Sequence, residues 1–233
     1  MKKITKNTFF MIALLVIFIL LSGCGEDPTK LPPDELLGKV FQKMAQKGGA
    51  FEVKETMVLG AGTSNALTLN TDGIIEPTAK AAYLVIKDMP EKGTDMNIYY
   101  NKDAKDTYIK LIHGPASMIF VSQKNMTSEL SFATIEKLLS SMQDPKKLAE
   151  TKVKVEGDQL ILEGTFNSET LNYLQLEKAA LKYAIDRKTL GLQRIDVSFL
   201  NILGGQTNAS YTFRPGLNVP TLSEEEKAKA IRQ

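Results

Sequence analysis

Residues 51–59 read FEVKETMVL, and this stretch sets the pattern on which the fold depends. Its apolar residues alternate with polar ones, a period of two that is typical of a β-strand with one buried face. Phe51, Val53, Met57 and Leu59 fall on one face of such a strand, and Glu52, Lys54 and Thr56 fall on the other. In the preceding residues 34–47, apolar side chains recur every three or four positions, and Gly48-Gly49 follow. We therefore predict a leading helix and then a half-buried strand.

The alternation returns in the segments that follow. Residues 66–75, 81–87, 96–101 and 107–112 have strand character and are separated by short stretches rich in Pro, Gly and Asp. Connections this short leave no room for crossover helices, so neighbouring strands are expected to pair antiparallel.

A helical insert interrupts the strands in mid-chain. In residues 127–142, TSELSFATIEKLLSSM, apolar residues fall at helical spacing. Strands resume as two hairpins in residues 152–166 and 181–200, with a short helix capped by Asn167 between them. A last strand is predicted at residues 206–213.

About ten strands, a leading helix and a helical insert predict an α+β fold. Half-apolar strands form a sheet with one covered face and one wet face, and a sheet of about ten strands must curl strongly. We expect a strongly curled antiparallel sheet, an open half-barrel, with helices covering its concave face. This domain is expected to span residues 34–220, followed by a charged tail at residues 221–233.

The order of these elements resembles that of the LolA/LppX-type proteins, which are lipoprotein-carrier-like half-barrels. Residues 185–199, IDRKTLGLQRIDVSF, are similar to the segment of such proteins that turns between two long strands. The resemblance covers roughly residues 34–220 and includes no catalytic signature. It implies an apolar cavity, closed by helices, that binds a lipid or another acyl-bearing ligand.

The first 24 residues predict export and attachment to a membrane. Three lysines precede thirteen consecutive apolar residues at positions 9–21, a length that suits a secretory signal better than a span of about 20 residues. Residues 21–24, LSGC, resemble the lipobox of bacterial lipoproteins, in which the cysteine thiol is joined to a diacylglycerol. The resemblance implies that residues 1–23 are removed and that Cys24 carries the lipid; the alternative is a cysteine that ends a non-lipidated signal peptide.

Two or more acyl chains hold a protein stably on a bilayer. We therefore expect a lipid anchor in the cell membrane, on its extracytoplasmic side, with residues 24–33 as the lipidated cysteine and a proline-containing tether. LolA itself is a soluble periplasmic carrier. The lipobox therefore places this chain nearer to the anchored lipoproteins of the group.

Composition argues against several classes of function. The predicted signal segment carries three of the 29 Lys and Arg and no acidic residue, so the rest of the chain has a net charge of −1. That balance disfavours nucleic-acid binding. Cys24 is the single cysteine and His113 the single histidine, so no disulfide, metal site or cofactor is expected.

No catalytic site is predicted. Ser117 lies four residues after His113, but no GxSxG motif surrounds it, and Gly114-Pro115 mark a turn. We expect a protein that is not an enzyme, because the sequence offers no nucleophile–base pair.

The candidates for a ligand cavity are apolar residues of the first two strands and of the insert. They are Phe51, Val53, Met57, Leu67, Leu69, Ile135, Leu139 and Met142. In the leading hypothesis the anchored protein buries acyl chains against these residues, between sheet and helices. The alternative is an envelope protein-interaction or signalling module with a filled core, for a protein partner that the sequence does not name.

Glu55 is the polar residue on the apolar side of the first strand. A carboxyl that points into an apolar space is costly unless it is paired. Glu55 is expected to lie near the wet end of the strand; otherwise it meets Lys87 or Lys110, or orients a ligand head group.

Overall fold

A computed structural model of the chain describes residues 27–60, 66–104, 106–123 and 128–232. It contains four α-helices: α1 Pro33–Lys47, α2 Ser128–Met142, α3 Ser168–Leu174 and α4 Glu224–Ala228. No helix among these described residues is long and apolar enough to cross a bilayer. The predicted signal segment and Cys24 lie outside the described residues, so the lipid anchor stays a prediction.

Within these described ranges, twelve strands form one sheet. They are β1 Gly49–Leu59, β2 Leu67–Ile75, β3 Ala81–Ile86, β4 Thr94–Asn101, β5 Asp106–His113, β6 Ala116–Gln123, β7 Leu148–Glu156, β8 Gln159–Phe166, β9 Leu176–Asp186, β10 Leu192–Asn201, β11 Gln206–Pro215 and β12 Ile231–Arg232. Their spatial order is β12-β6-β5-β4-β3-β2-β1-β11-β10-β9-β8-β7. Neighbours pair antiparallel except β12 and β6, which are parallel. The predicted α+β class and the open antiparallel sheet are confirmed, whereas the strong curl stays a prediction.

The count of about ten strands was too low, because β6 and β12 lack the expected alternation. In β6 four apolar residues are consecutive, Met118 to Val121. Two of them, Ile119 and Val121, are buried outside the main core cluster. Ile119 opposes Lys110, whose amine pairs with Glu226 of α4, so the C-terminal tail covers the sheet there. Because β6 has apolar residues on both faces, its sequence carries no period of two.

The main core lies on one face of the sheet, here called the helix-covered face. The apolar stripe of α1 packs into it through Leu36, Leu37, Val40 and Met44. Strand β1 joins the two halves of the sheet because it pairs with β2 on one side and with β11 on the other. Residues of β2 and of β11, which are far apart in sequence, therefore lie side by side with those of β1 on the same face of the sheet.

Helix α2 crosses the helix-covered face and is held at several points. The ring of Phe132 stacks on that of Tyr100 of β4, with centroids 4.0 Å apart. Near the other end of α2, the hydroxyl of Tyr183 donates to the carbonyl of Met142 over 2.8 Å. These contacts fix α2 above the sheet from β4 to β9, and its position determines where the space beneath it lies.

Candidate functional site

Strand β1 runs from a fully packed region into a cavity. Phe51 and Val53, near its start, are 0% and 3% exposed, and Leu59, at its end, is 37% exposed. Glu55 and Met57, between them, are only partly buried. The same alternating face of one strand therefore supplies both tight core packing and the wall of an open space.

The cavity has a volume of about 530 Å³ and lies between the sheet and α2. Its size falls within the range of about 300–1,000 Å³ that is typical of small-molecule sites. It is lined mainly by apolar side chains of β1, β2, β3, β10, β11 and α2. The lining residues are Val53, Glu55, Met57, Leu69, Thr71, Ile75, Leu84, Ile86, Thr134, Ile135, Leu138, Phe199 and Tyr211.

The structure divides the eight predicted cavity residues into three groups. Four of them line the cavity: Val53, Met57, Leu69 and Ile135. Three are enclosed in the core beside it: Phe51, Leu139 and Met142. The last, Leu67, is 49% exposed at the start of β2. Ligand binding by these residues stays a prediction.

Gly73 of β2 helps to shape the cavity wall. It stands opposite Val53 on one side and Leu84 on the other. A β-carbon on Gly73 would lie 2.6 Å from Leu84 Cδ2 and 2.7 Å from the carbonyl oxygen of Tyr83. The glycine therefore lets Leu84 lean across β2 into the wall.

Glu55 lies on the cavity wall and not at the wet end of its strand, so that expectation was wrong. Val53 and Met57 flank it on the same face, and β1 continues four residues beyond it to Leu59. Burial raises the pKa of the Glu55 carboxyl above its ordinary value of 4.5, because removal from water disfavours the charged form.

Neither lysine suggested as a partner for Glu55 meets it. The Lys87 amine lies 3.6 Å from an Asp95 carboxylate oxygen, and the Lys110 amine lies 2.9 Å from that of Glu226. Neither lysine lines the cavity. Within the described chain, no residue forms a hydrogen bond or an ion pair with Glu55.

Three other polar side chains share the cavity wall with Glu55. Thr71 stands directly opposite it on β2, and Thr134 comes from α2. Tyr211 lies on β11, and burial together with the charge of Glu55 raises the pKa of its phenol. The cavity is therefore an apolar space with a few polar groups, the composition expected of a ligand site.

The structure does not bring His113 and Ser117 together. His113 opposes Ala116 across the β5–β6 hairpin, and Ser117 opposes Ile112. Adjacent residues of a strand point to opposite faces, so the two side chains leave the sheet on different sides. The His113 ring instead lies 2.7 Å from the hydroxyl of Thr94. Among the described residues, no group of three or more His, Cys, Asp or Glu side chains is close enough together to bind a metal ion.

A second depression, of about 620 Å³, is lined by charged side chains of Lys54, Glu163, Lys182 and Asp196. Glu163 also pairs with Lys154 at 2.7 Å, and Asp196 pairs with Arg194 at 3.0 Å. These exposed ion pairs are typical of solvated surface. The depression is the larger of the two spaces, and ion pairs border it, whereas the described wall of the cavity beneath α2 has no charged pair.

Sequence patterns did not indicate the part of the cavity wall that comes from β3, β10 and β11. Tyr211 lies between Ser210 and Thr212, and Phe199 follows Ser198, but such alternation does not reveal which strands are adjacent. The pairing of β1 with β11 brings Tyr211 opposite Val53. The signal that locates these residues is cross-strand register, which a single sequence does not contain.

No family model matches the sequence, and no curated protein matches it. Among solved structures, the chain is similar to lipoprotein LppX of Mycobacterium tuberculosis, with a TM-score of 0.44 and 16% identity over 80% of this chain and 100% of that one. It is similar to a DUF1329 family protein of Desulfovibrio piger, with a TM-score of 0.33 and 16% identity over 85% and 100% of the two chains. It is also similar to a LolA superfamily protein of Nitrosomonas europaea, with a TM-score of 0.29 and 9% identity over 84% and 96%. LppX and LolA are the two kinds of protein named in the resemblance drawn from the sequence.

Proposed function

We propose that this protein is a membrane-anchored, extracytoplasmic lipoprotein that binds a lipid or another apolar ligand between its sheet and α2. The observation that carries the proposal is the cavity of about 530 Å³ with its largely apolar wall. An apolar ligand gains about 25 cal/mol for each Å² that it removes from water. The membrane anchor rests on the lipobox pattern at residues 21–24.

The cavity also separates the two functions considered for the sequence. An interaction module with a filled core requires the inward residues of β1 and β2 to be packed against helices throughout. Phe51 meets that requirement, but Met57 and Leu69 border open space. The geometry therefore favours ligand binding.

Co-purification tests the proposal. Residues 25–233 are produced without the signal segment and Cys24, purified under native conditions, and extracted with organic solvent for mass spectrometry. A lipid present at a ratio near one per protein is the expected result. A protein that carries no lipid and does not bind added acyl lipids would overturn the proposal in favour of the interaction module.

A pair of variants makes the test specific to the cavity. Leu69→Trp places an indole in the cavity wall and is expected to abolish lipid retention. Thr68→Trp places the same ring on the exposed neighbouring position of β2 and is expected to retain it. Equal retention by the two variants would show that the lipid is bound elsewhere.

A further inference from the structure

In the described part of the chain, the Glu55 carboxyl has no partner, and it lies on the wall of an apolar cavity. Two glutamates on other parts of the sheet do have partners: Glu52 pairs with Arg214 at 2.7 Å, and Glu163 pairs with Lys154 at 2.7 Å. Glu55 has no such partner among the described residues. An isolated carboxyl removed from water is costly unless something hydrogen bonds to it.

The surroundings of Glu55 indicate the kind of group that relieves this cost. Of the side chains on the described cavity wall, only Glu55 and Tyr211 titrate, and neither carries a positive charge at neutral pH. The protein therefore supplies an acceptor without a charged donor. A ligand that brings an N–H or O–H group to Glu55 gains a hydrogen bond, whereas a ligand that brings a carboxylate or phosphate meets a like charge.

An apolar row leads away from Glu55 across the sheet. Thr71 opposes Glu55, and the next residues in direct register, strand by strand, are Ile86, Met96, Leu111 and Met118. At about 4.8 Å between strands, the row extends about 24 Å from β1 to β6. Met118, at its far end, is 52% exposed. The row provides an apolar track for an extended chain whose polar end lies at Glu55.

We propose that Glu55 is the polar contact of the ligand and that the ligand is a long-chain molecule whose buried end carries a hydrogen-bond donor, an ammonium or a hydroxyl. Its chain lies along Ile86, Met96 and Leu111. This inference rests on the proposed function, since it names the class of ligand for the same cavity. Free fatty acids are expected to bind weakly, because their carboxylate meets the like charge of Glu55.

Binding of three ligands with equal chains tests the inference. Hexadecylamine, hexadecanol and hexadecanoate are added to the full chain in detergent at neutral pH, and bound ligand is measured by native mass spectrometry. The wild-type protein is expected to bind the amine or the alcohol about ten- to hundredfold more tightly than the carboxylate, the range for a hydrogen bond to a charged group. The amine and alcohol arms distinguish an ammonium from a hydroxyl.

Three variants connect that preference to Glu55. Glu55→Gln is expected to remove most of the discrimination between the amine and the carboxylate while retaining binding of the apolar chain. Glu163→Gln, on the charged depression, removes a carboxyl of equal size and is expected to leave the preference unchanged. Leu69→Trp is expected to abolish binding of all three ligands. Far-UV circular dichroism checks that each variant is folded.

The outcomes separate this inference from the proposed function. Equal binding of the three ligands, or a preference for the carboxylate, overturns the role of Glu55 and leaves an apolar cavity that binds chains. A preference that persists in Glu55→Gln overturns it as well. If none of the ligands binds, both the inference and the proposed function fail.

Discussion

The two ends of strand β1 differ although they follow one sequence pattern. At its start Phe51 is fully buried, and its ring lies 6.1 Å from that of Tyr211 and 5.7 Å from that of Phe213, both edge to face. Further along, Glu55 and Met57 point in the same direction and border a cavity. The first end stabilises the fold, and the second leaves surface free for a ligand.

The difference shows that an inward-facing position is not automatically a core position. Alternation determines which face of the sheet a residue joins. The element that lies above the residue decides whether that face is filled. Here α1 and the end of α2 cover the packed region, which includes Leu139 and Met142, whereas Ile135 of α2 borders the cavity.

The largest expected effect comes from truncating a side chain at the packed end. Phe51→Ala should lower the free energy of unfolding by about 3–5 kcal/mol, because it removes a buried ring and leaves a new void. Met57→Ala should cost about 1 kcal/mol, since its side chain already borders open space. Urea unfolding followed by circular dichroism measures both. Equal losses of unfolding free energy in the two variants would contradict the distinction between a packed end and an open end of β1.

Two buried tyrosines provide a second test. Tyr183→Phe removes the hydroxyl that donates to the Met142 carbonyl and should cost about 1–3 kcal/mol, because a buried acceptor is left unpaired. Tyr211→Phe should have little effect on the ligand-free protein, since no described residue hydrogen bonds to its hydroxyl. The same unfolding experiment compares them; a larger loss for Tyr211→Phe would contradict the assignment of packed and open regions.

A third prediction concerns Glu55 and pH. Because its pKa is raised above 4.5 in the folded protein, its contribution to stability is fully present below that pH and is lost as pH rises through the folded pKa. Glu55→Gln should therefore raise the melting temperature at neutral pH and change it little in acid. Tyr211 is the other titratable group on the described cavity wall, and it stays neutral in this range. Thermal unfolding of Glu55→Gln and of the wild-type protein at neutral pH and in acid checks this. An equal change in melting temperature under the two conditions would contradict it.

The smallest expected effect concerns Glu226 in the C-terminal tail, whose pKa is lowered in the folded protein whereas that of Glu55 is raised. Hydrogen bonds from the Lys110 amine and from Ser223 lower the pKa of Glu226 to about 2. Its stabilising contribution is therefore present above 4.5 and is lost as pH falls toward about 2. Glu226→Gln should loosen the tail slightly at neutral pH and not in strong acid. Amide hydrogen exchange in β12 measures this; faster exchange in acid only would contradict it.

Local patterns predicted most elements of the fold. Asn167 caps α3, and its side chain accepts from the backbone N–H of Thr170, as the residue type at that position indicates. The antiparallel hairpins follow from short polar connections. Strand β12 was not predicted because it has only two residues and is held by its parallel pairing with β6.

In α1 and in the strands with alternating residues, the sequence by itself determined which residues face the helices and which face water, because the side-chain period of a strand or helix is a local property of the backbone. It also carried the pattern for export and lipid attachment at Cys24. Only the tertiary structure decided which inward residues are packed and which border a cavity. That depends on where α2 crosses the sheet and on the register that joins β1 to β2 and β11. Glu55 is distinctive for this reason: a local pattern puts it on the apolar face, and the long-range packing leaves it without a partner among the residues that the structure describes.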